Sequence, residues 1–150
     1  MKRQEYSGTH SGQVSLPGGR FEPEDITLHQ TALRETEEEI GIPREQIRVL
    51  GELTQLFIPP SNYLVKPLVG YVEQTPEFQP DPREVKELFS VQLPELLDDR
   101  LFQKTDMTVR QLRVKDIPYY AFNNEIVWGA TAMILSEFRQ VLLETGFYKT

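Results

Sequence analysis

The chain has 150 residues, of which 39% are hydrophobic and 26% charged, proportions typical of a globular protein with a hydrophobic core. Its formal net charge of -7 at pH 7 disfavours nucleic-acid binding, and the lack of cysteine excludes disulfides and thiolate chemistry. No apolar run is long enough for a membrane span, and residues 1–12 lack the apolar core of a signal peptide. We therefore expect one cytoplasmic domain over residues 1–150 that binds a small molecule rather than nucleic acid or a membrane.

The first half of the chain predicts a short strand over residues 11–16, a Pro-Gly-Gly turn and then a helix. Thr27 and Gln30 fit a capping box at the start of this helix, which runs to about Ile40. Gly41 suits a left-handed cap, and Pro43 prevents the chain from continuing as a helix. Residues 47–58 and 63–72 then predict a pair of strands.

The second half of the chain predicts a short helix that starts at Pro94, a strand pair over residues 107–114 and 117–122, and a long terminal helix. Asn123 or Asn124 is the candidate cap of the terminal helix. Its apolar face is indicated by spacings of three and four residues among Trp128, Thr131, Leu135, Phe138 and Leu142. Alternating strand and helix signals of this kind favour an α/β or α+β fold.

The helix after the glycine turn carries an unusual acidic run, since four of the five residues 35–39 are glutamates. On a wheel of about 100° per residue, Glu35 and Glu39 fall together at the edge of the apolar face. Glu38 lies just beyond them, whereas Glu37 lies on the outer face. The pattern therefore predicts that three carboxylates gather at one rim of the helix.

Three partly desolvated carboxylates repel one another, so either some are protonated or a cation lies among them. Oxygen ligands are those preferred by Mg²⁺ and Mn²⁺, and these ions also bind phosphate. The preceding Gly18 and Gly19 could bring backbone groups to the same ion or to a phosphate. An acidic run on a helix is more often a solvated face, and that reading stays open on the residues alone.

The segment from Gly18 to Ile42 resembles the signature of the Nudix hydrolases. Its second half has the pattern Arg-Glu-hydrophobic-x-Glu-Glu-x-Gly-hydrophobic, read here over residues 34–42, with Thr36 in place of the usual aliphatic residue. The spacer between Gly19 and Arg34 has 14 residues, one more than the common pattern. Ile26 consequently stands where the first acid is usual, and Asp25 is its stand-in.

The longer spacer is similar to that of the Nudix branch that cleaves coenzyme A. An upstream motif of that branch is matched at Arg3, Gly12, Leu16, Pro17, Gly18 and Gly19, although its second arginine would fall at Gly8 and is missing. Residues 126–135 also resemble the start of the C-terminal helix of that branch. The resemblance implies a mixed β-sheet sandwiched between helices. Its first strands normally precede Arg3, so we expect N-terminal strands to be missing and a homodimer to be possible.

The resemblance implies hydrolysis of a diphosphate with the aid of Mg²⁺ or Mn²⁺. Glu35 and Glu39 are then the expected metal ligands, with Glu38 as a third ligand or the base and the carbonyl of Gly19 as a further ligand. Arg34 is expected on the outer side of the carboxylates, where it orients a glutamate. Glu84 is the candidate for an additional catalytic carboxylate, with Glu87 as the alternative.

Arg3 and Arg20 flank the glycine turn and, with Gly18 and Gly19, are the candidates to contact substrate phosphates. The expected substrate is coenzyme A or one of its derivatives, cleaved to phosphopantetheine and adenosine 3′,5′-bisphosphate. Two alternatives stay open. One is a Nudix pyrophosphatase for ADP-ribose or a dinucleotide, and the other is a Nudix domain that senses a ligand without catalysis.

Overall fold

A computed structural model describes residues 1–5, 11–59, 61–109 and 111–146. The chain forms two compact units, Met1–Leu88 and Phe89–Thr150, which are described separately below. Gly8, where the second arginine of the upstream motif would fall, lies outside the described residues.

The first unit contains the predicted acidic helix, α1, at Leu28–Ile40. The Thr27 hydroxyl accepts a hydrogen bond from the N–H of Gln30, and the Gln30 side chain accepts one from the N–H of Ile26. Gly41 ends the helix with φ 75°, in the left-handed region, and its N–H donates to the carbonyl of Glu37. The predicted helix, its Thr27 cap and its Gly41 end are therefore confirmed, whereas the capping box is incomplete, because the Gln30 side chain accepts from Ile26 and not from Thr27.

The strands of the first unit are shorter than the sequence predicts. The predicted strand over residues 47–58 is divided into β2 (Arg48–Glu52) and β3 (Leu56–Ile58), and its partner into β4 (Tyr63–Val65) and β5 (Leu68–Tyr71). Pro67 lies at the break between β4 and β5, because proline has no N–H to donate within a strand ladder. The Pro67 carbonyl instead accepts a hydrogen bond from the N–H of Leu53. β2 pairs with β5 and β3 with β4, both antiparallel.

The start of the chain forms β1 (Lys2–Arg3), which pairs with β6 (Val85–Glu87) in antiparallel register. The predicted strand over residues 11–16 is wrong in extent, since only Val14 makes a bridge, with Lys2. A core of Met1, Ile40, Ile42 and Val85 joins these strands to the C-terminal end of α1. The N–H groups of Gln79 and Asp81 also donate to the carbonyls of Ile40 and Glu39, so the segment that leads through Glu84 into β6 is held beside the end of α1.

The second unit contains α2 (Leu93–Leu97), a three-stranded antiparallel sheet and the long helix α3 (Gly129–Glu144). The strands are β7 (Phe102–Val109), β8 (Leu112–Phe122) and β9 (Glu125–Trp128). The predicted pairing of residues 107–114 with 117–122 is wrong, because residues 107–109 belong to β7, whereas residues 112–114 and 117–122 both belong to β8. β8 instead pairs with β7 on one side and β9 on the other.

The prediction that Asn123 or Asn124 caps α3 is also wrong. Asn123 and Asn124 have φ of 50° and 62° and form the tight turn between β8 and β9, a conformation that asparagine tolerates well. The residue that precedes α3 is Trp128. The unit packs around buried Tyr120, Phe122, Val127 and Ala132, and the Tyr120 hydroxyl is hydrogen bonded to Ser136.

The helices together with small antiparallel sheets confirm the predicted α+β class. In the described part of the chain, every strand pairing is antiparallel. Within that same part, no helix is both long and apolar enough to cross a membrane.

Candidate active site

Glu39 is the most deeply buried acid in the first unit, with 1% of its side chain exposed. The N–H of Gly18 donates to Oε2 at 2.8 Å, and Nη1 of Arg3 donates to Oε1 at 3.2 Å. Burial raises the pKa of Glu39 above its ordinary value, and these two donors oppose the rise only in part. The fold therefore brings the glycine turn and Arg3 into direct contact with this glutamate, whereas their predicted contacts with substrate phosphates stay predictions.

Glu35 lies one turn earlier and faces the second glycine of the turn. A Cβ on Gly19 would overlap the Glu35 carboxylate, so glycine is required for this close approach. Burial raises the pKa of Glu35, while Nη1 of Arg34, at 3.0 Å, acts in the opposite direction. The charges of Glu38 and Glu84 add to the rise, which indicates that these carboxylates lie within electrostatic reach of one another.

Arg34 connects the acidic residues on both sides of the site. Its guanidinium donates two hydrogen bonds to Asp25, at 3.0 and 2.9 Å, and one each to Glu35 and Glu38, both at 3.0 Å. Arg34 is only 9% exposed, and its predicted position on the outer side of the carboxylates stays a prediction. Its contacts do match the predicted task of orienting a glutamate.

Asp25 is 4% exposed, and its carboxylate is the partner of Arg34 in a two-bond pair. This pair holds the pKa of Asp25 well below its ordinary range, because the hydrogen bonds from Arg34 favour the ionised form. The sequence identified Asp25 only as a stand-in for a signature acid. Its pairing with Arg34 could not be read from spacing, since the two residues lie on a loop and a helix.

The other two glutamates of the acidic run have different surroundings. The Glu38 side chain is 54% exposed and is held by Arg34, so it can contact both solvent and ligand. Glu37 pairs instead with Arg44, whose Nε donates at 2.7 Å, in the turn after the helix. The predicted separation of Glu37 from the other three is therefore confirmed.

Glu84 lies immediately before β6 and is half exposed. Its Oε2 is 3.7 Å from Nη2 of Arg3, and its charge raises the pKa of both Glu35 and Glu39. Glu87 lies at the far end of β6, opposite Lys2. The geometry favours Glu84 over Glu87, and its catalytic role stays a prediction.

Arg20 directly follows the two glycines, and its side chain is exposed. Its carbonyl accepts a 2.9 Å hydrogen bond from Nη2 of Arg34, and its guanidinium lies 5.1 Å from the ring centre of Tyr63. The contact with Tyr63 could not be predicted from the sequence, because Tyr63 lies more than forty residues further along the chain.

The donor chemistry of the site suits a hard divalent cation. Five carboxylates (Asp25, Glu35, Glu38, Glu39 and Glu84) are accompanied by the guanidiniums of Arg3 and Arg34, so negative charge remains in excess. Two of the acids, Glu35 and Glu39, are largely shielded from solvent, and this burial raises the pKa of both. Within the described ranges no three acidic or histidine side chains already converge as a metal-ligand set.

The structure thus places a carboxylate cluster, held by Arg34, on a helix beside a glycine turn. The sequence matches the NUDIX domain family over residues 1–112. It is 36% identical over 132 residues to the protein named uncharacterised Nudix hydrolase NudL of Photorhabdus laumondii, covering 88% of this chain and 70% of that protein. Proteins of the same name from Yersinia pestis and Yersinia pseudotuberculosis are also 36% identical, over 93% of this chain and 69% of theirs. The chain belongs to the Nudix hydrolase family and is an enzyme of that class.

Proposed function

We propose that this Nudix hydrolase cleaves the diphosphate of coenzyme A or its derivatives. The observation that carries the proposal is the contact of Glu39 with both Gly18 and Arg3. Gly18 and Arg3 belong to the upstream pattern that resembles the coenzyme A branch, whereas Glu39 belongs to the general signature. Their direct contact supports the upstream pattern as part of the same site.

In the proposed reaction, water adds to one of the two phosphorus atoms and the bond from that phosphorus to the bridging oxygen breaks. The proton of the water passes to a base, and the products are phosphopantetheine and adenosine 3′,5′-bisphosphate. Glu38 is the candidate base because it is exposed and oriented by Arg34. Glu84 is the alternative base, since it is also half exposed and lies beside the same cluster.

The residues that would hold Mg²⁺ or Mn²⁺ are Glu35, Glu39 and the carbonyl of Gly19, with Glu38 as a third carboxylate ligand if Glu84 is the base. The cation would neutralise charge on the diphosphate and lower the pKa of water. Arg34 acts through the glutamates, because its donors are all directed at Asp25, Glu35, Glu38 and the Arg20 carbonyl. Arg3 and Arg20 supply positive charge at the two sides of the glycine turn for the substrate phosphates.

One observation favours a second candidate. The upstream pattern lacks an arginine at Gly8, and a site without that cation would suit a nucleotide with fewer phosphates than coenzyme A. ADP-ribose or a dinucleotide is therefore the second candidate substrate. A single domain over residues 1–150, a cytoplasmic location and a homodimer stay predictions that accompany the proposal.

The test is a substrate panel with product identification. The full chain is incubated with Mg²⁺ or Mn²⁺ and with coenzyme A, acetyl-coenzyme A, ADP-ribose, NADH and diadenosine polyphosphates. We expect the highest kcat/KM for coenzyme A or its thioester, with adenosine 3′,5′-bisphosphate as a product. A preference for ADP-ribose or NADH would establish the second candidate. Binding of a nucleotide without turnover of any compound would establish a non-catalytic sensing domain.

A further inference from the structure

Arg20 and Tyr63 form an exposed pair at the edge of the candidate site. The guanidinium carbon of Arg20 lies 5.1 Å from the Tyr63 ring centre, within the range of a cation–π contact. Tyr63 is the first residue of β4 and follows the turn after β3, and it is 39% exposed. The pair therefore presents a planar cation and an aromatic face to solvent.

The backbone of Arg20 is anchored directly in the carboxylate cluster. Its carbonyl accepts from Nη2 of Arg34, the residue that also holds Glu35 and Glu38. Gly19, its neighbour in sequence, approaches the Glu35 carboxylate more closely than any other residue type would allow. A ligand whose phosphates bind at the glycine turn would thus lie next to Arg20.

Arg20 also differs from most surface arginines of this acidic chain. Arg44, Arg83 and Arg100 each pair with a nearby carboxylate. Among the residues that the structure describes, Arg20 has the Tyr63 ring as its side-chain partner and no carboxylate within ion-pair distance. Its charge is consequently available to an anionic ligand.

We propose that Tyr63 and Arg20 form the surface on which the nucleoside base of the substrate stacks. Aromatic rings and guanidinium planes both stack on bases, and every base offers a π-face. The positive charge of Arg20 additionally favours a base that is attached to phosphates. This inference rests on the proposed function in one respect, namely that the ligand is a nucleotide.

The test compares how a substitution at Tyr63 changes the binding of two anions, of which one carries a nucleoside base and the other carries none. Adenosine 3′,5′-bisphosphate and inorganic diphosphate are titrated into the full chain by calorimetry, with the same divalent cation present. We expect Tyr63→Leu to weaken the adenosine bisphosphate about tenfold or more, the scale of one base–aromatic stack. Diphosphate affinity should change less than about twofold, since it offers nothing to stack.

Three further variants separate stacking from charge and from misfolding. Tyr63→Phe retains the ring and should bind adenosine bisphosphate like the wild type. Arg20→Lys retains charge but not the guanidinium plane and should lose affinity only for the adenosine bisphosphate. Tyr71→Leu alters another exposed tyrosine, on β5, and should leave both affinities unchanged.

The proposal is overturned if Tyr63→Leu and wild type bind adenosine bisphosphate alike. It is also overturned if Arg20→Gln weakens both probes equally while Tyr63→Leu weakens neither, because Arg20 would then contact phosphate alone. Because binding is measured without turnover, a protein that stacks the base but hydrolyses nothing in the panel retains this surface and contradicts only the proposed hydrolysis of coenzyme A.

Discussion

Gly19 packs directly against the carboxylate of Glu35, with no space between them for a Cβ. The overlapping atoms belong to the end of a flexible side chain, so an added methyl group would displace the carboxylate rather than the backbone. A substitution at Gly19 can therefore change the position of the Glu35 carboxylate, a candidate metal ligand, without removing it.

Gly19→Ala is expected to lower kcat by about tenfold or more while changing the free energy of unfolding by less than about 1 kcal/mol. The reason is that Glu35 can move away at small cost, but its oxygens then leave their positions. Steady-state kinetics and urea denaturation measure the two effects. Gly51→Ala, where no atom lies near the added methyl group, is the matched control and should keep full activity. Unchanged kcat in Gly19→Ala would show that the position of Glu35 is unimportant.

Glu39→Gln is expected to reduce kcat/KM by about 10²- to 10³-fold, because it removes a charge at the centre of the site. The effect on stability should be small, since two consequences oppose each other. The buried negative charge is relieved, but Gly18 or Arg3 loses one acceptor oxygen. Circular dichroism with denaturation of the metal-free protein checks the fold. A variant with wild-type activity would mean that the catalytic carboxylates lie elsewhere.

A divalent cation should stabilise the folded protein through Glu35. Mg²⁺ or Mn²⁺ at about 100 times its Kd raises the free energy of unfolding by about 2.7 kcal/mol when it binds only the folded state. We expect Glu35→Gln to lose most of this increase and Glu37→Gln to retain it, since Glu37 pairs with Arg44 away from the site. Thermal denaturation with added metal or chelator provides the readout. Equal stabilisation of Glu35→Gln and wild type would contradict the assignment of Glu35 as a ligand.

Glu84→Gln is expected to reduce kcat by at least about tenfold, because its charge lies within reach of Glu35 and Glu39. Glu87→Gln should keep kcat within about twofold of the wild-type value, because Glu87 lies two positions beyond the start of β6 and its charge acts less strongly on the site. Parallel kinetic measurements of the two variants decide between them. Loss of activity in Glu87→Gln alone would reverse the assignment.

Because of Asp25, the free energy of unfolding should change with pH in the acid range, in a direction that its lowered pKa predicts. Its pKa is lowered in the folded protein by Arg34, so its ionised form stabilises the fold above its ordinary pKa of about 4. This contribution is lost as the pH falls through the folded-state pKa. Asp25→Asn should consequently be less stable than wild type at pH 6, and the difference should shrink on acidification. Urea denaturation over a pH series measures it, and a difference that grows at low pH would contradict the pairing.

The helix that carries the candidate site could be predicted from sequence because its determinants are local. Thr27 and Gly41 specify its ends, and helical periodicity alone separates Glu37 from Glu35 and Glu39. The family signature covers the same local segment, so family membership and the candidate metal ligands could also be predicted from the sequence. The ends of the strands were harder to predict from the sequence. Pro67 and the Asn123–Asn124 turn determine them only together with the pairing strands, and the sequence does not specify which strands pair.

The tertiary structure decided which distant groups meet these glutamates. Arg3 reaches Glu39 because β1 pairs with β6 over a shared core, and Arg34 is buried because Asp25 folds back onto it. Tyr63 meets Arg20 through a strand turn that carries no local sign of that contact. A sequence determines by itself the periodicity and capping of its segments, because these depend on near neighbours. The charge balance and the substrate-facing surface of a site depend on contacts between remote segments, and only the folded chain establishes them.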